Sequence, residues 1–374
     1  MTNMEYYAQW LSDLIKKDKN VYLLIIDGWE NYLFDKNKDD MTDEQKSRII
    51  NMGISEQNAV GFAAGLALGG KKVYVFMFAA FLTSRAAEQI KLDVTYNNAD
   101  VTFIGIHGGV TGPRIAGYSH WALEDIATLN GYPNIKIFAP SNNEQEIKAC
   151  LKYSVEHKGP VYIRLENPGI NVIKTEQKVQ IGKLSFLRFH RNPQFIIISY
   201  GEMTNKIIPF LEKLDKMKYR YIFCSAFSLK PFDYDGFAKI LKRNIPIIAL
   251  EEHSRYGGLC SIVAEEIASS NTNVHFKSIN VSNQLFNSVY ASDSSIYYLF
   301  NGNPIEQILS AIETKTNFCE KTFRFIKRKI DHRDRLCICY TLLGIPVLTK
   351  KILKNNDISY YVFGIKILRK KCKV

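Results

Sequence analysis

Five apolar runs constrain what this chain can fold into. "VYLLIID" (21–27), "KKVYVFMF" (71–78), "DVTFIGIHGG" (100–109), "IKIFAP" (135–140) and "PVYIRL" (160–165) are nearly continuous in apolar residues rather than alternating. Runs of that kind suit strands buried on both faces, as in a parallel sheet. Between and before them lie stretches with helical spacing, at 5–17, 55–69, 82–97, 121–130 and 143–157. Strands alternating with helices predict a mainly parallel sheet with helices on both sides.

A polar stretch at 174–183 reads as a linker, and the pattern then begins again. Strands are expected at 194–201, 219–226, 245–253 and 274–281, with helices at 203–217, 234–241, 257–269 and 304–313. The expected fold class is α/β: two successive three-layer domains with mainly parallel sheets, residues 1–172 and 184–314, followed by a short basic tail, 315–374.

The charge follows that division. The tail holds 16 Lys and Arg against 4 Asp and Glu, a net of +12, leaving 33 of the 49 basic and 33 of the 37 acidic residues in the other 314. The body is therefore neutral, and the basic pI gives no reason to expect a nucleic-acid binder. Seven irregularly spaced cysteines suggest no disulfide framework. No signal peptide and no membrane-spanning run is read, so a reducing cytoplasm is the expected compartment.

Ligands of parallel sheets sit beyond the carboxyl ends of strands. Several chemically useful residues fall there. Glu56 opens the helix before the second strand, with Ser55 as its expected cap. Phe78 and Phe81 follow that strand. His107 follows the third strand, and His120 closes the same Gly-rich loop. Arg164 ends the last strand of the first set. Each also has a plainer reading: Glu56 could simply favour its helix N-terminus, the two Phe could be core, and the His could be structural.

"INMGISEQNAVGFAAGLAL", "FAAFLTSRAAEQIKLDV", "GYSHWALEDIATLNGYPNIKIFAPSNNEQE" and "GPVYIRLENPG" resemble the pyrimidine-binding domain of transketolase-family thiamine diphosphate enzymes. "LKPFD" and "ALEEHSRYGGL" resemble that family's C-terminal domain, so the likeness runs over residues 5–312. It implies that Glu56 contacts a ring nitrogen of the cofactor's aminopyrimidine and favours the tautomer that takes the proton from the thiazolium carbon. Phe78 and Phe81 would stack against the pyrimidine. His107 and His120 would face the thiazolium and substrate as hydrogen-bond donors and proton shuttles. Arg164 would bind a phosphate or hydroxyl of a sugar substrate.

The resemblance also shows what this chain lacks. A complete transketolase holds diphosphate through Mg2+ with a Gly-Asp-Gly triplet, and no such triplet occurs here. The chain therefore resembles the C-terminal half of a split transketolase. It would work with an N-terminal partner subunit that carries the diphosphate and Mg2+ site, in a two-plus-two heterotetramer. No metal ligands are assigned to this chain. Where the family has an Asp four residues before the loop His, Ala116 stands, so Arg114 and Tyr118 are the residues left to read a sugar hydroxyl. The expected activity is transfer of a two-carbon ketol unit between sugar substrates. A 2-oxo acid decarboxylating subunit, a 1-deoxyxylulose phosphate synthase-like subunit and a non-catalytic scaffold are the alternatives.

The tail carries an internal repeat at an offset of 20: "YTLLGIPVLTKK" from Tyr340 and "YYVFGIKILRKK" from Tyr360. Each copy reads as two short strands or a hairpin-like unit. Similar segments occur at the ends of enzymes from bacterial capsule and lipopolysaccharide clusters, which suggests surface-polysaccharide precursor synthesis. A +12 segment with apolar residues suits an anionic membrane surface, which would place the protein at the periphery of the inner membrane. Packing on protein is the other use for it. Cys319, His332, Cys337, Cys339 and Cys372 match no zinc spacing.

Overall fold

The computed structural model describes residues 1–27, 32–110, 118–166, 178–281 and 304–313, together with five tail strands. The chain divides into two units, Met1–Ile312 and Glu313–Val374.

The first unit opens with α1 (Asn3–Lys17), started by a capping box between Thr2 and Glu5. Its apolar face lies on a sheet. Tyr7 stacks on Phe76 with ring centroids 5.8 Å apart. Five of the first six strands are the expected ones: β1 (Val21–Ile25), β3 (Lys72–Phe78), β4 (Val101–Ile106), β5 (Lys136–Phe138) and β6 (Val161–Leu165). The sixth, β2 (Ile49–Asn51), is three residues long and has no apolar run to announce it. All six pair in parallel. β3, β4 and β6 are buried along their whole length, which explains their unbroken apolar composition. Each large apolar side chain buried this way contributes roughly 1.5–3 kcal/mol.

The helices around this sheet are α2 (Tyr32–Asp35), α3 (Asp43–Ser47), α4 (Glu56–Leu68), α5 (Ala79–Arg85), α6 (Ala87–Gln89), α7 (Asp125–Asn130) and α8 (Glu144–Glu156). The single helix expected over 82–97 is instead α5, α6 and a π-helical segment, Ile90–Tyr96. The helix expected from 121 begins at Asp125, after a 3-10 turn at Tyr118–His120.

The second sheet runs β12-β11-β8-β9-β7. Its strands are β7 (Ser185–Phe189), β8 (Phe195–Ser199), β9 (Tyr221–Ser225), β11 (Ile247–Leu250) and β12 (Phe276–Ile279). β7 is antiparallel to β9, and the other pairs are parallel. Around it lie α9 (Gly201–Lys206), α10 (Ile208–Lys216), α11 (Tyr234–Leu241), α12 (Leu259–Ser269) and α13 (Pro304–Glu313). The helix expected over 203–217 is divided at Ile207 because Pro209 has no N–H to continue the ladder.

One strand crosses between the sheets. β10 (Ser228–Lys230) follows β9 in the chain but pairs antiparallel with β5, at the edge of the first sheet. The two sheets are thus covalently and hydrogen-bond linked, not merely adjacent.

The second unit is a five-stranded antiparallel meander: β13 (Arg324–Ile330), β14 (Leu336–Leu342), β15 (Ile345–Ile352), β16 (Ile358–Val362) and β17 (Ile365–Lys370). The 20-residue repeat reappears as two hairpins with equivalent closing pairs, Leu342↔Ile345 and Val362↔Ile365.

Candidate functional site

Glu56 is the first residue of α4. Ser55 sits at the N-cap as expected, but its hydroxyl makes no cap bond and donates to the Met52 carbonyl at 2.6 Å. The helix start is served by the Glu56 carboxylate, which suits the positive end of the helix dipole. That carboxylate is buried. It accepts from Arg85 Nη1 at 2.6 Å. Arg85 is the last residue of α5, and its guanidinium carbon lies 4.0 Å from the Phe81 ring centroid. Gln57 Nε2 donates to the Arg85 carbonyl at 3.1 Å and fastens the two helices here.

Phe78 ends β3 and Phe81 lies one turn later, because the strand passes directly into α5. Their rings are 5.6 Å apart. His107 follows β4 with φ +55°, a left-handed conformation that non-glycine residues seldom adopt. It stacks on Phe78 at 5.1 Å with planes 23° apart. His120 ends the 3-10 turn and sets its ring edge-on to Phe81 at 4.7 Å and to Phe78 at 5.8 Å. Its Nδ1 shares a hydrogen bond with the Ser119 hydroxyl at 2.9 Å. Burial, then the nearby Arg85 charge, holds the His120 pKa below the ordinary histidine value. His120 is therefore neutral at pH 7 and able to accept a proton.

Glu56, Phe78, Phe81, His107 and His120 thus gather at the carboxyl ends of β3 and β4, with Arg85 joining Glu56 to Phe81. Sequence reasoning missed Arg85. Its signal was position: it falls four residues after Phe81, on the same helix face.

Arg164, expected to bind a phosphate or hydroxyl of a sugar, is buried at the end of β6. It is 4% exposed. Its Nη1 donates to the Tyr200 hydroxyl at 3.2 Å, and its Nη2 to the carbonyls of Ala122 and Glu252 at 3.2 and 3.1 Å. Its Nε faces Asp125 Oδ2 at 3.3 Å, an oxygen that also accepts from the Tyr162 hydroxyl at 2.7 Å. Burial alone would lower its pKa, but Asp125 and the other acidic neighbours outweigh that and raise it. Arg164 ties the two sheet domains together through these contacts. Arg114 and Ala116 lie outside the described residues. Tyr118 is exposed and meets Trp121 edge-on at 6.0 Å.

The second domain also grips the His107 loop. Glu252 accepts from the Val110 amide at 3.0 Å through one oxygen and from Lys206 Nζ at 2.8 Å through the other. A Cβ on Gly108 would fall 1.7 Å from Arg164 Nε, and one on Gly109 would fall 2.6 Å from Glu252 Cγ. Only glycines let the loop pass so close. Nearby, the Ser254 amide donates to the Leu123 carbonyl at 2.7 Å, and the Ala127 amide to His253 Nε2 at 3.3 Å. Burial pushes Glu251 up to about 7 and His253 down to about 4. Among the described residues, no group of three or more His, Cys, Asp or Glu could hold a metal ion.

The chain is similar to known proteins. Residues 1–170 match the family model of the transketolase pyrimidine-binding domain, and residues 185–304 that of the transketolase C-terminal domain. An apulose-4-phosphate transketolase subunit of Actinobacillus succinogenes is 35% identical over 226 residues, 60% of this chain and 71% of that protein. The protein of the same name from Phocaeicola vulgatus is 30% identical over 264 residues, 70% of this chain and 82% of that one. Among solved structures, a split-gene transketolase in an inactive beta4 tetramer superposes with a TM-score of 0.69 at 26% identity, over 84% of this chain and 97% of its own.

Proposed function

The chain belongs to the transketolase family, and we propose that it is the pyrimidine-binding half of a split thiamine diphosphate-dependent transketolase. The residues present fit one end of that cofactor. Glu56 offers a buried carboxylate at a helix start, Phe78 and Phe81 offer an aromatic wall, and His120 lies within reach of both rings. The convergence of these groups at two strand ends is the observation that carries the proposal. When bound, thiamine diphosphate supplies an acidic thiazolium carbon that serves as nucleophile toward a ketose.

The chain's own residues then have separable tasks. Glu56 holds a proton at the pyrimidine ring nitrogen. Phe78 and Phe81 exclude water from the ring face. His120, neutral at pH 7, exchanges a proton with a sugar hydroxyl or carbonyl, and His107 donates to the same region. The diphosphate and Mg2+ are assigned to an N-terminal partner subunit, because this chain has no Gly-Asp-Gly triplet. The naming of its relatives as transketolase subunits, and the inactivity of the beta4 tetramer of a similar split-gene transketolase, support a heterotetramer whose active site is shared between chains.

The substrates follow from the same likeness: sugar phosphates exchanging a two-carbon ketol unit. The expected setting is cytoplasmic, making precursors for surface polysaccharide. The likeness of the tail to the ends of capsule-cluster enzymes supports that setting. The tail's net charge of +12 supports contact with an anionic membrane surface. No helix among the described residues is long and apolar enough to cross a membrane.

A direct test is ketol transfer by this chain co-expressed with a partner that carries Gly-Asp-Gly. Glu56→Gln should lower kcat by at least about a hundredfold, the range of a lost acid–base group. Unchanged turnover would remove Glu56 from the chemistry.

A further inference from the structure

The slot assigned to the aminopyrimidine already holds a planar cation. Arg85 lies over the Phe81 ring, 4.0 Å from its centroid, while its Nη1 donates to Glu56 Oε1 at 2.6 Å. A pyrimidine that stacks on Phe81 and hydrogen-bonds Glu56 calls on the same ring and the same carboxylate. The two occupants compete.

The two members of this pair differ in what they can do. The Glu56 side chain is 7% exposed and fixed at the start of α4, whereas that of Arg85 is 49% exposed at the end of α5. Left alone, the buried carboxylate would be costly, so a cation beside it stabilises the cofactor-free chain. Arg85 can swing into water with little loss, because a half-exposed ion pair is screened. Glu56 cannot follow it.

We infer that Arg85 is a latch, closing the pyrimidine slot of the cofactor-free subunit and leaving it when the cofactor arrives with the partner chain. The inference rests on the function proposed above and adds regulation to that site. It has a quantitative consequence. A ligand that binds only the open form has its dissociation constant raised by the reciprocal of the open fraction. A latch closed nine-tenths of the time weakens apparent cofactor binding about tenfold.

The test uses the complex of this chain with its N-terminal partner, titrated calorimetrically with thiamine diphosphate and Mg2+. Arg85→Ala should tighten the apparent Kd by about tenfold. Arg85→Lys, which keeps the charge but not the flat stacking surface, should fall between the two. A second readout needs neither partner nor cofactor. Burial first and then the Arg85 charge hold the His120 pKa down, so Arg85→Ala in the full chain should raise it in a proton NMR titration. An equal or weaker Kd in Arg85→Ala, or an unmoved His120 titration, overturns the latch and leaves the proposed function standing. Loading in neither wild type nor variant overturns the proposed function, and the latch with it.

Discussion

Arg164 and Arg85 both reach a buried carboxylate from the end of a secondary-structure element, Arg164 from β6 and Arg85 from α5. Their surroundings differ. Arg164 is enclosed by Asp125, Tyr200 and two carbonyls drawn from both domains, and it is 4% exposed. Arg85 touches one carboxylate and one ring, with the side chain half in solvent. A buried arginine with partners in both domains holds a structure together. A half-exposed arginine on one carboxylate can be exchanged for a ligand. The number and origin of an arginine's partners, more than its position at a strand or helix end, separate scaffold from site.

The sharpest way to break this contrast is to remove each arginine in turn. Arg164→Ala would leave Asp125 buried without its countercharge, at a cost on the order of 3–5 kcal/mol in denaturant unfolding. Arg164→Lys should recover only part of that, because an ammonium cannot serve so many acceptors in one plane. A loss near zero would mean that the interdomain tie carries no weight.

Next in size is the pH response of the interdomain segment. Glu251 titrates near 7 in the fold against an ordinary value of 4.5, a difference worth on the order of 3 kcal/mol. Its neutral form is favoured in the fold. That stability is therefore full below about pH 4.5 and declines as pH rises to 7. His253 acts in the opposite sense. Its pKa falls from 6.5 to about 4, so its contribution is full above 6.5 and is lost as pH falls through 4. The two slopes oppose each other between about pH 4.5 and 6.5. Glu251→Gln should remove one of them, so that melting temperature rises with pH across that window and no longer falls toward pH 7. A variant curve parallel to wild type would contradict the assignment.

Gly109→Ala comes third. The residue has φ +70°, and a Cβ there meets the Glu252 side chain at 2.6 Å. A cost of about 1–3 kcal/mol is expected, and the His107 NMR resonances should shift with it. Stability lost with His107 unmoved would separate the loop from the site. Last is Arg85→Ala, where losing a latch closed nine-tenths of the time should cost about 1.4 kcal/mol of stability. A larger loss would place Arg85 among the scaffold residues.

Much of this is legible in the sequence. Buried parallel strands need unbroken apolar runs, so β1, β3, β4, β5 and β6 announce themselves. Ligand groups collect at strand ends, so Glu56, Phe78, Phe81, His107 and His120 stand out as candidates in the residue order, and only the family resemblance gives them roles. Short or borrowed elements cannot. β10 is three residues long, and its identity depends on a partner strand nearly a hundred residues earlier in the chain. The π-helical Ile90–Tyr96 differs from α-helix in hydrogen-bond register, which composition does not record. The interdomain contacts of Arg164 are not legible, because its partners Tyr200 and Glu252 lie 36 and 88 residues away, in the other domain. Arg85 escapes notice because a single arginine on a helix looks like a solvated surface residue until Glu56 is seen beneath it.

Glu56 and its aromatic neighbours are proposed to form half of a thiamine diphosphate site. Calorimetry with thiamine diphosphate and Mg2+ tests this proposal, on this chain alone and on its complex with an N-terminal subunit. Binding is expected only in the complex, and more weakly in Glu56→Gln. Absence of binding in the complex, or equal binding by Glu56→Gln, would contradict it.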